Sequence, residues 1–205
     1  MHATGQLGLP SGPLELSWQV VSKTAGSQQL GYEIQSAADA EFTQDLQVAE
    51  AHSGESQFVV APGSPTSSRQ VRYLRVRIQT QAGVTEWSET LRHETGLIAG
   101  TDFVGSAIGD VSKTDDPPAL LRKNFEVTKP VASARIYATA HGTFDLSLNG
   151  NVVGDEILAP GWTPYGQRLL HSTHDVTAQL VVGKNTWGVV LADGWYRGHF
   201  GFAHE

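Results

Sequence analysis

The stretch FDLSLNGNVV, residues 144–153, decides the fold. Phe144, Leu146 and Leu148 alternate with Asp145 and Ser147. Successive strand side chains face opposite ways, so a period of two marks a strand with one buried face. The run passes straight into Asn149-Gly150, both of which tolerate positive φ and favour a two-residue hairpin turn. Val152 and Val153 belong to the return strand. Working outward, residues 121–127 predict a strand, and Ala134, Ile136 and Ala138 share one face of another. A further strand is predicted over 169–173, then a short capped turn at Asp175-Val176-Thr177. Gly183-Lys184-Asn185 reads as a turn, after which Trp187, Val189 and Leu191 alternate.

The first half follows the same period. Leu14, Leu16, Trp18 and Val20 predict a half-buried strand, and Leu30, Tyr32 and Ile34 a second. Residues 57–60 form a third apolar run, closed by the turn-forming APGSP. Leu74, Val76 and Ile78 alternate with Tyr73, Arg75 and Arg77. Ala82-Gly83 is a hairpin tip, and Trp87 is expected on the last strand. Several short strands at this spacing suggest an antiparallel sandwich. The order of Trp18, Tyr32, the LRVRI strand and Trp87-Ser88 resembles a fibronectin type III domain. Arg72 stands where that fold's tyrosine corner would place a tyrosine. Trp18 is expected in the core, as a large aromatic on an apolar face.

The fold class is therefore all-β: two consecutive β-sandwich domains, the first fibronectin type III-like, the second jelly-roll-like. Residues 1–97 form the first domain, 98–119 a linker and domain entry, and 120–205 the second. The break is placed near residues 96–102, and Asp115-Asp116-Pro117-Pro118 breaks any element there. Charged residues are only 17% of the chain, below the roughly one quarter of ordinary domains, and glycines number 22. That mix suits short strands joined by turns. Helix is expected only as single turns, such as one near Asp175.

Formal net charge is −7, so the surface repels phosphate backbones and nucleic acid is excluded as a partner. The basic cluster of Arg69, Arg72, Arg75 and Arg77 reads as a solvated sheet face. No cysteine is present, which removes disulfides and thiolate metal sites. MHATGQLGLP has neither a basic nor an apolar signal-peptide region, and no run reaches the ~18 apolar residues of a membrane span. Cytoplasmic residence is expected, or secretion if a signal peptide was removed.

Residues 120–202 carry longer motifs: LLRKNFEV, ARIYATAHGTFDLSLNGNVVGDEILAPGWTPYGQR, and HDVTAQLVVGKNTWGVVLADGWYRGHFGF. They resemble the N-terminal domain of bacterial α-L-rhamnosidases, most tellingly in LNG, VGD, LAPGWTPY and DGWYRG. The segment GLIAGTDF resembles the family's link between its fibronectin-like module and this sandwich. The resemblance implies inverting hydrolysis of terminal α-L-rhamnose. It places the acid and base on an (α/α)₆ barrel that this chain lacks, so the chain alone is expected to be inactive. Inversion needs two carboxylates roughly 6.5–9.5 Å apart. The family's sandwich continues past GWYRGHFGF, so a truncated second sandwich is expected. Its exposed edge would be open to homodimerisation or aggregation.

Carboxylates are numerous, but none lies in a hydrolase motif. Asp155 and Glu156 are adjacent and would point oppositely on a strand, which leaves a solvated turn. Among eight histidines, His171 and His174 have a metal-like spacing only on a helix. The carbohydrate-binding candidates are Trp162, Tyr165, Asp193, Trp195, Tyr196 and Arg197. Sugars are held by aromatic faces and a few fixed polar groups, and DGWYRG offers both. Asp193 is expected to reach solvent or meet Arg197, a backbone N–H or a cation, because an unpaired buried carboxylate is costly. Some sandwiches of the resembled family bind L-rhamnose through calcium. The resemblance therefore implies calcium as a cofactor, with Asp193, Asn149 and backbone carbonyls as the oxygen donors. Two functions are carried forward. One is an accessory part of a glycosidase that recognises L-rhamnose-containing glycans and braces the missing barrel. The other is a stand-alone carbohydrate-binding or adhesion module.

Overall fold

Period-two alternation predicts strands as the chain's main regular structure, and the computed structural model bears this out over its described residues, 6–22, 25–109 and 117–198. The chain divides into two compact units, Met1–Phe103 and Val104–Glu205. In the first, β1 (Gln6–Leu9), β3 (Gln29–Ala37), β4 (Gln47–Ala51), β6 (Val71–Thr80), β7 (Gly83–Val84) and β8 (Leu91–Thr95) form one sheet. Its order is β1-β8-β6-β3-β4, with β7 hairpinned onto β6. All pairs are antiparallel except β1 with β8. The facing layer is the short pair β2 (Glu15–Leu16) and β5 (Val59–Val60). Leu14, Leu16, Ile34, Val59, Ala61 and Leu74 make the core between them.

Several expectations for this unit are corrected. The strand read over 14–20 ends at Leu16. Trp18 lies outside any strand and is half-buried at the core's margin, its ring 5.2 Å from Tyr32 and its Nε1 donating to Gln29 Oε1. The run 57–60 shrinks to two strand residues, and Phe58 is exposed. Leu30 is also exposed, because a register shift between Gln29 and Gly31 turns it off the core face. Trp87 is not on the last strand, which is β8. Two strands carry too little alternation to be read from sequence, β1 and β4.

The arginine cluster is not a solvated face. Arg75 lies over the rings of Phe42 and Trp87, at 3.8 and 4.4 Å, and Arg77 over Trp87 at 4.4 Å. Arg75 donates to Gln35 and Arg77 to Glu33. Arg72 shares the parity of Leu74 and is turned inward, only 2% exposed.

The second unit follows its sequence more closely. β11 (Thr143–Leu148) and β12 (Asn151–Val152) form the expected hairpin, with Asn149 at φ 53° and Gly150 at φ 82°. β14 (Gly183–Ala192) pairs β11 on one side and β9 (Ala119–Val127) on the other. Sheet order is β12-β11-β14-β9. A separate antiparallel pair, β10 (Arg135–Ala138) with β13 (Ser172–Asp175), faces the same core. Phe144, Leu146, Leu148, Val153, Ala159 and Val176 fill that core, flanked by Ile136, Trp187, Val189 and Leu191.

Two boundaries move. The strand expected at 169–173 begins at Ser172, and residues 183–185 open β14 instead of turning. The turn at Asp175 holds: its carboxylate accepts the Thr177 N–H at 2.9 Å, and a single 3₁₀ turn, Thr177–Gln179, follows. Residues Asp115 and Asp116 of the breaker and the terminal HFGF motif lie outside the described residues. No helix among the described residues is long and apolar enough to cross a membrane.

Candidate functional site

The inward positions of β14, Trp187, Val189 and Leu191, would bring Asp193 inward next. The chain leaves the strand instead. Gly194 takes φ 49°, and Gly194–Arg197 closes one helical turn (α1) where the sequence suggested only a loop. The Tyr196 N–H donates to the Asp193 carbonyl at 3.0 Å. Gly142, at φ 101°, runs hard against this departure. A Cβ there would stand 2.2 Å from the Ala192 carbonyl oxygen. Only glycine permits that approach, so Gly142 fixes where α1 begins.

Asp193 meets Arg197, one of the outcomes expected of it. The guanidinium donates to Asp193 Oδ1 from Nε at 2.9 Å and from Nη2. Both side chains are partly exposed, 34% for Asp193 and 41% for Arg197. The pair is therefore a polar feature of the surface and not a buried anchor.

Tyr196, 46% exposed, packs beside Tyr165, with ring centroids 5.3 Å apart and planes at 76°. Tyr165 is set by the turn after Pro164, whose carbonyl accepts the Gln167 and Arg168 N–H groups. Beneath that turn, buried Thr163 donates to the Arg168 carbonyl at 2.8 Å. The Tyr165 hydroxyl is buried with no hydrogen-bond partner, so Tyr165 presents its ring and not its oxygen.

A third ring joins them that sequence reasoning missed. His141 lies 4.4 Å from Tyr196, tilted by 30°, and 6.0 Å from Tyr165. The signal was in the pairing. Thr143 is opposite Ala192 in the ladder, so counting two residues outward brings His141 level with Gly194. That register joins segments some fifty residues apart.

Of the six candidates, Tyr165, Asp193, Tyr196 and Arg197 are thus brought together, with half-buried Trp195 on the same turn. Trp162 is 70% exposed and joins no ring pair among the described residues. It sits instead in an excursion with exposed Ile157, Leu158 and Leu170.

The calcium donors do not fit. Asp193 and Asn149 follow opposite ends of the β11–β14 ladder, a separation on the order of 20 Å at ~3.3 Å per residue. The Asn149 amide is already spent on Gln179, Asn185 and Thr186. Among the described residues no group of three or more His, Cys, Asp or Glu side chains is placed to hold a metal.

The comparisons with known proteins agree with this fold. Residues 129–205 match the family described as the alpha-L-rhamnosidase N-terminal domain. Residues 1–99 match the Rha78A-like, N-terminal immunoglobulin domain. An alpha-L-rhamnosidase of Formosa agariphila is 36% identical over 73% of this chain and 17% of its own length. One of Alteromonas sp. is 33% identical over 94% of this chain and 23% of its own length. The crystal structure of an α-L-rhamnosidase from Aspergillus terreus superimposes with a TM-score of 0.83 at 31% identity, over 97% of this chain and 24% of that one. The chain thus spans about a fifth of the length of the curated relatives it matches.

Proposed function

This chain is an N-terminal region of the α-L-rhamnosidase family, and from that premise we propose that it recognises L-rhamnose-bearing glycans and braces a catalytic body, without cleaving the glycosidic bond itself. The stand-alone adhesion reading gains no support from relatives that are all α-L-rhamnosidases. The observation that carries the proposal is the half-exposed Tyr196, edge-on to Tyr165 and one turn from the Asp193–Arg197 pair. An aromatic face takes the C–H side of a sugar, and a carboxylate with a guanidinium beside it takes hydroxyls. Trp195 lies half-buried on the same turn. Trp162, in its own apolar excursion, suits the bracing role better than the sugar site.

Bond cleavage by inversion asks for two carboxylates free to act across a water. Of the second unit's carboxylates, Glu156 is bonded by Ser172, Asp175 is paired with Arg135, and Asp193 with Arg197, while Glu126 and Asp145 lie on β9 and β11 and Asp155 follows β12. The barrel of the full enzyme is the proposed source of the acid and base.

Titration with L-rhamnose, followed by calorimetry with calcium in one arm and a chelator in the other, tests this reading. Saturable binding in both arms is expected, because the calcium donors are separated. Tyr196→Ala should weaken it by about 2 kcal/mol, the scale of an aromatic hot spot, at an unchanged melting temperature. An aryl α-L-rhamnoside should release nothing above blank. A parent chain that ignores L-rhamnose in both arms removes the recognition role, and turnover abolished by one carboxylate substitution here removes the non-catalytic one.

A further inference from the structure

A sugar-stacking ring is useful only if its orientation is fixed before the ligand arrives, since ordering it on binding subtracts from affinity. Tyr196 stands on a helix of four residues, too short to hold itself. Its Asp193 N-cap makes no side-chain capping bond, because the carboxylate is taken by Arg197. The backbone clamp at Gly142 and Gly194 fixes the start of the turn but not the ring. Among the described residues two other rings pack against it. Tyr165 meets it edge-on, at 76°, and His141 lies against it at 4.4 Å with the planes only 30° apart. Of these two rings His141 is the one nearer to facing Tyr196, and it comes from the far side of the β11–β14 pairing.

We infer that His141 is the positioning residue of this site: it holds the Tyr196 ring in a stacking orientation. The inference rests on the proposed recognition of L-rhamnose for its purpose, and on the ring geometry alone for its structural content. His141 is exposed and takes no part in the core, so its removal leaves the sandwich intact. What the role needs is a flat ring at that place, so phenylalanine should serve and alanine should not.

Three proteins test this: the parent, His141→Ala and His141→Phe. Contacts between the Tyr196 and Tyr165 ring protons are read by NMR cross-relaxation, with Tyr196 assigned by its loss in Tyr196→Leu, and L-rhamnose affinity is read by calorimetry. His141→Ala should weaken the Tyr196–Tyr165 ring contact and weaken L-rhamnose by about fivefold or more, while His141→Phe keeps affinity within about twofold of the parent. Melting temperatures of all three should agree. A Tyr196–Tyr165 ring contact that stays intact in His141→Ala overturns the inference. So does a shifted ring whose alanine variant binds L-rhamnose as tightly as the parent. A phenylalanine variant as weak as alanine also overturns it, since a ring alone would then not suffice. If that ring contact is lost but the parent itself binds no L-rhamnose, the hold of His141 on Tyr196 stands and the sugar reading falls.

Discussion

Among the described residues, the largest fully buried polar side chain is Arg72 in the first unit and Asn185 in the second, and the two are neutralised by different chemistry. In the first, the Arg72 guanidinium donates to Ser36 Oγ at 2.9 Å, to the Asp45 carbonyl at 3.2 Å, and to the Asp45 carboxylate. Gly63 leaves the room it needs, since a Cβ there would stand 2.7 Å from Nη2. In the second, Asn185, 1% exposed, donates to the Val181 and Gly183 carbonyls and accepts from the Val181 N–H and Asn149 Nδ2. A buried charge needs a counter-charge, which ties the first anchor to an ionised carboxylate. A buried carboxamide needs only donors and acceptors, which backbone supplies at any ordinary pH. Both anchors are closed on themselves. The rings and charges around α1 are left partly open, and that contrast separates scaffold from candidate site.

The largest effect expected is from Arg72→Ala. It strands the Ser36 hydroxyl, leaves a cavity and unpairs Asp45, at about 3 kcal/mol of stability, the low end for a broken buried pair because Asp45 can still hydrate. Chemical denaturation measures it, and hydrogen exchange should quicken in β3 and β6 while β11 and β14 keep their protection. A loss within experimental error would mean the charge is no anchor.

Asn185→Ala comes next. Three backbone groups and the Asn149 amide lose a partner, so about 2 kcal/mol should go, with exchange quickening in β11 and β14. Equal destabilisation of the first unit's amides would break the contrast between the two anchors.

Asp193→Asn should cost less than about 1 kcal/mol, since its ion pair is largely screened by solvent. A loss as large as that of Asn185→Ala would move α1 from site to scaffold.

The smallest effect is one of acid. The hydrogen bond from Arg72 holds the Asp45 carboxyl below the usual carboxylate range. A folded-state value depressed in this way contributes stability that is present above the unfolded value, near pH ~4, and is lost as pH falls through the folded one. Melting curves from pH 6 down to 2 should show this loss in the parent and in Asn185→Ala. The Asp45 share of it should vanish in Asp45→Asn, and an unchanged acid profile there would assign the loss to other carboxylates, such as Asp39, lowered chiefly by the Gln44 N–H.

Much of the fold was legible because strand period and hairpin chemistry are local. The alternation in β11 and β14 and the Asn149-Gly150 turn needed no tertiary information. Elsewhere the same period misled. Residues 14–20 alternate, yet the ladder with β5 ends at Leu16, and past it single bonds replace the ladder, from the Trp18 N–H to the Ser56 carbonyl and from the Phe58 N–H to Ser17 Oγ. Parity did place Arg72 beside Leu74, but residue type argued for the surface, and burial won because Ser36 arrives from β3 and Asp45 from the segment before β4. The candidate site was half legible. DGWYR could be read as an aromatic and ionic turn, while Trp162 and Asn149 were grouped with it by chemistry and not by place.

By itself the sequence determined that the chain is all-β, where its clearest hairpin turns, and which family's N-terminal motifs it carries. All of these depend on the order of neighbouring residues. Only the tertiary structure decided that Arg72 is inside, that Asn149 belongs to a scaffold network and not to a cation, and that His141 lies against Tyr196. Those outcomes depend on which remote strand pairs with which, and in what register. Pairing is set by the burial of whole faces at once, a quantity no local window of sequence contains.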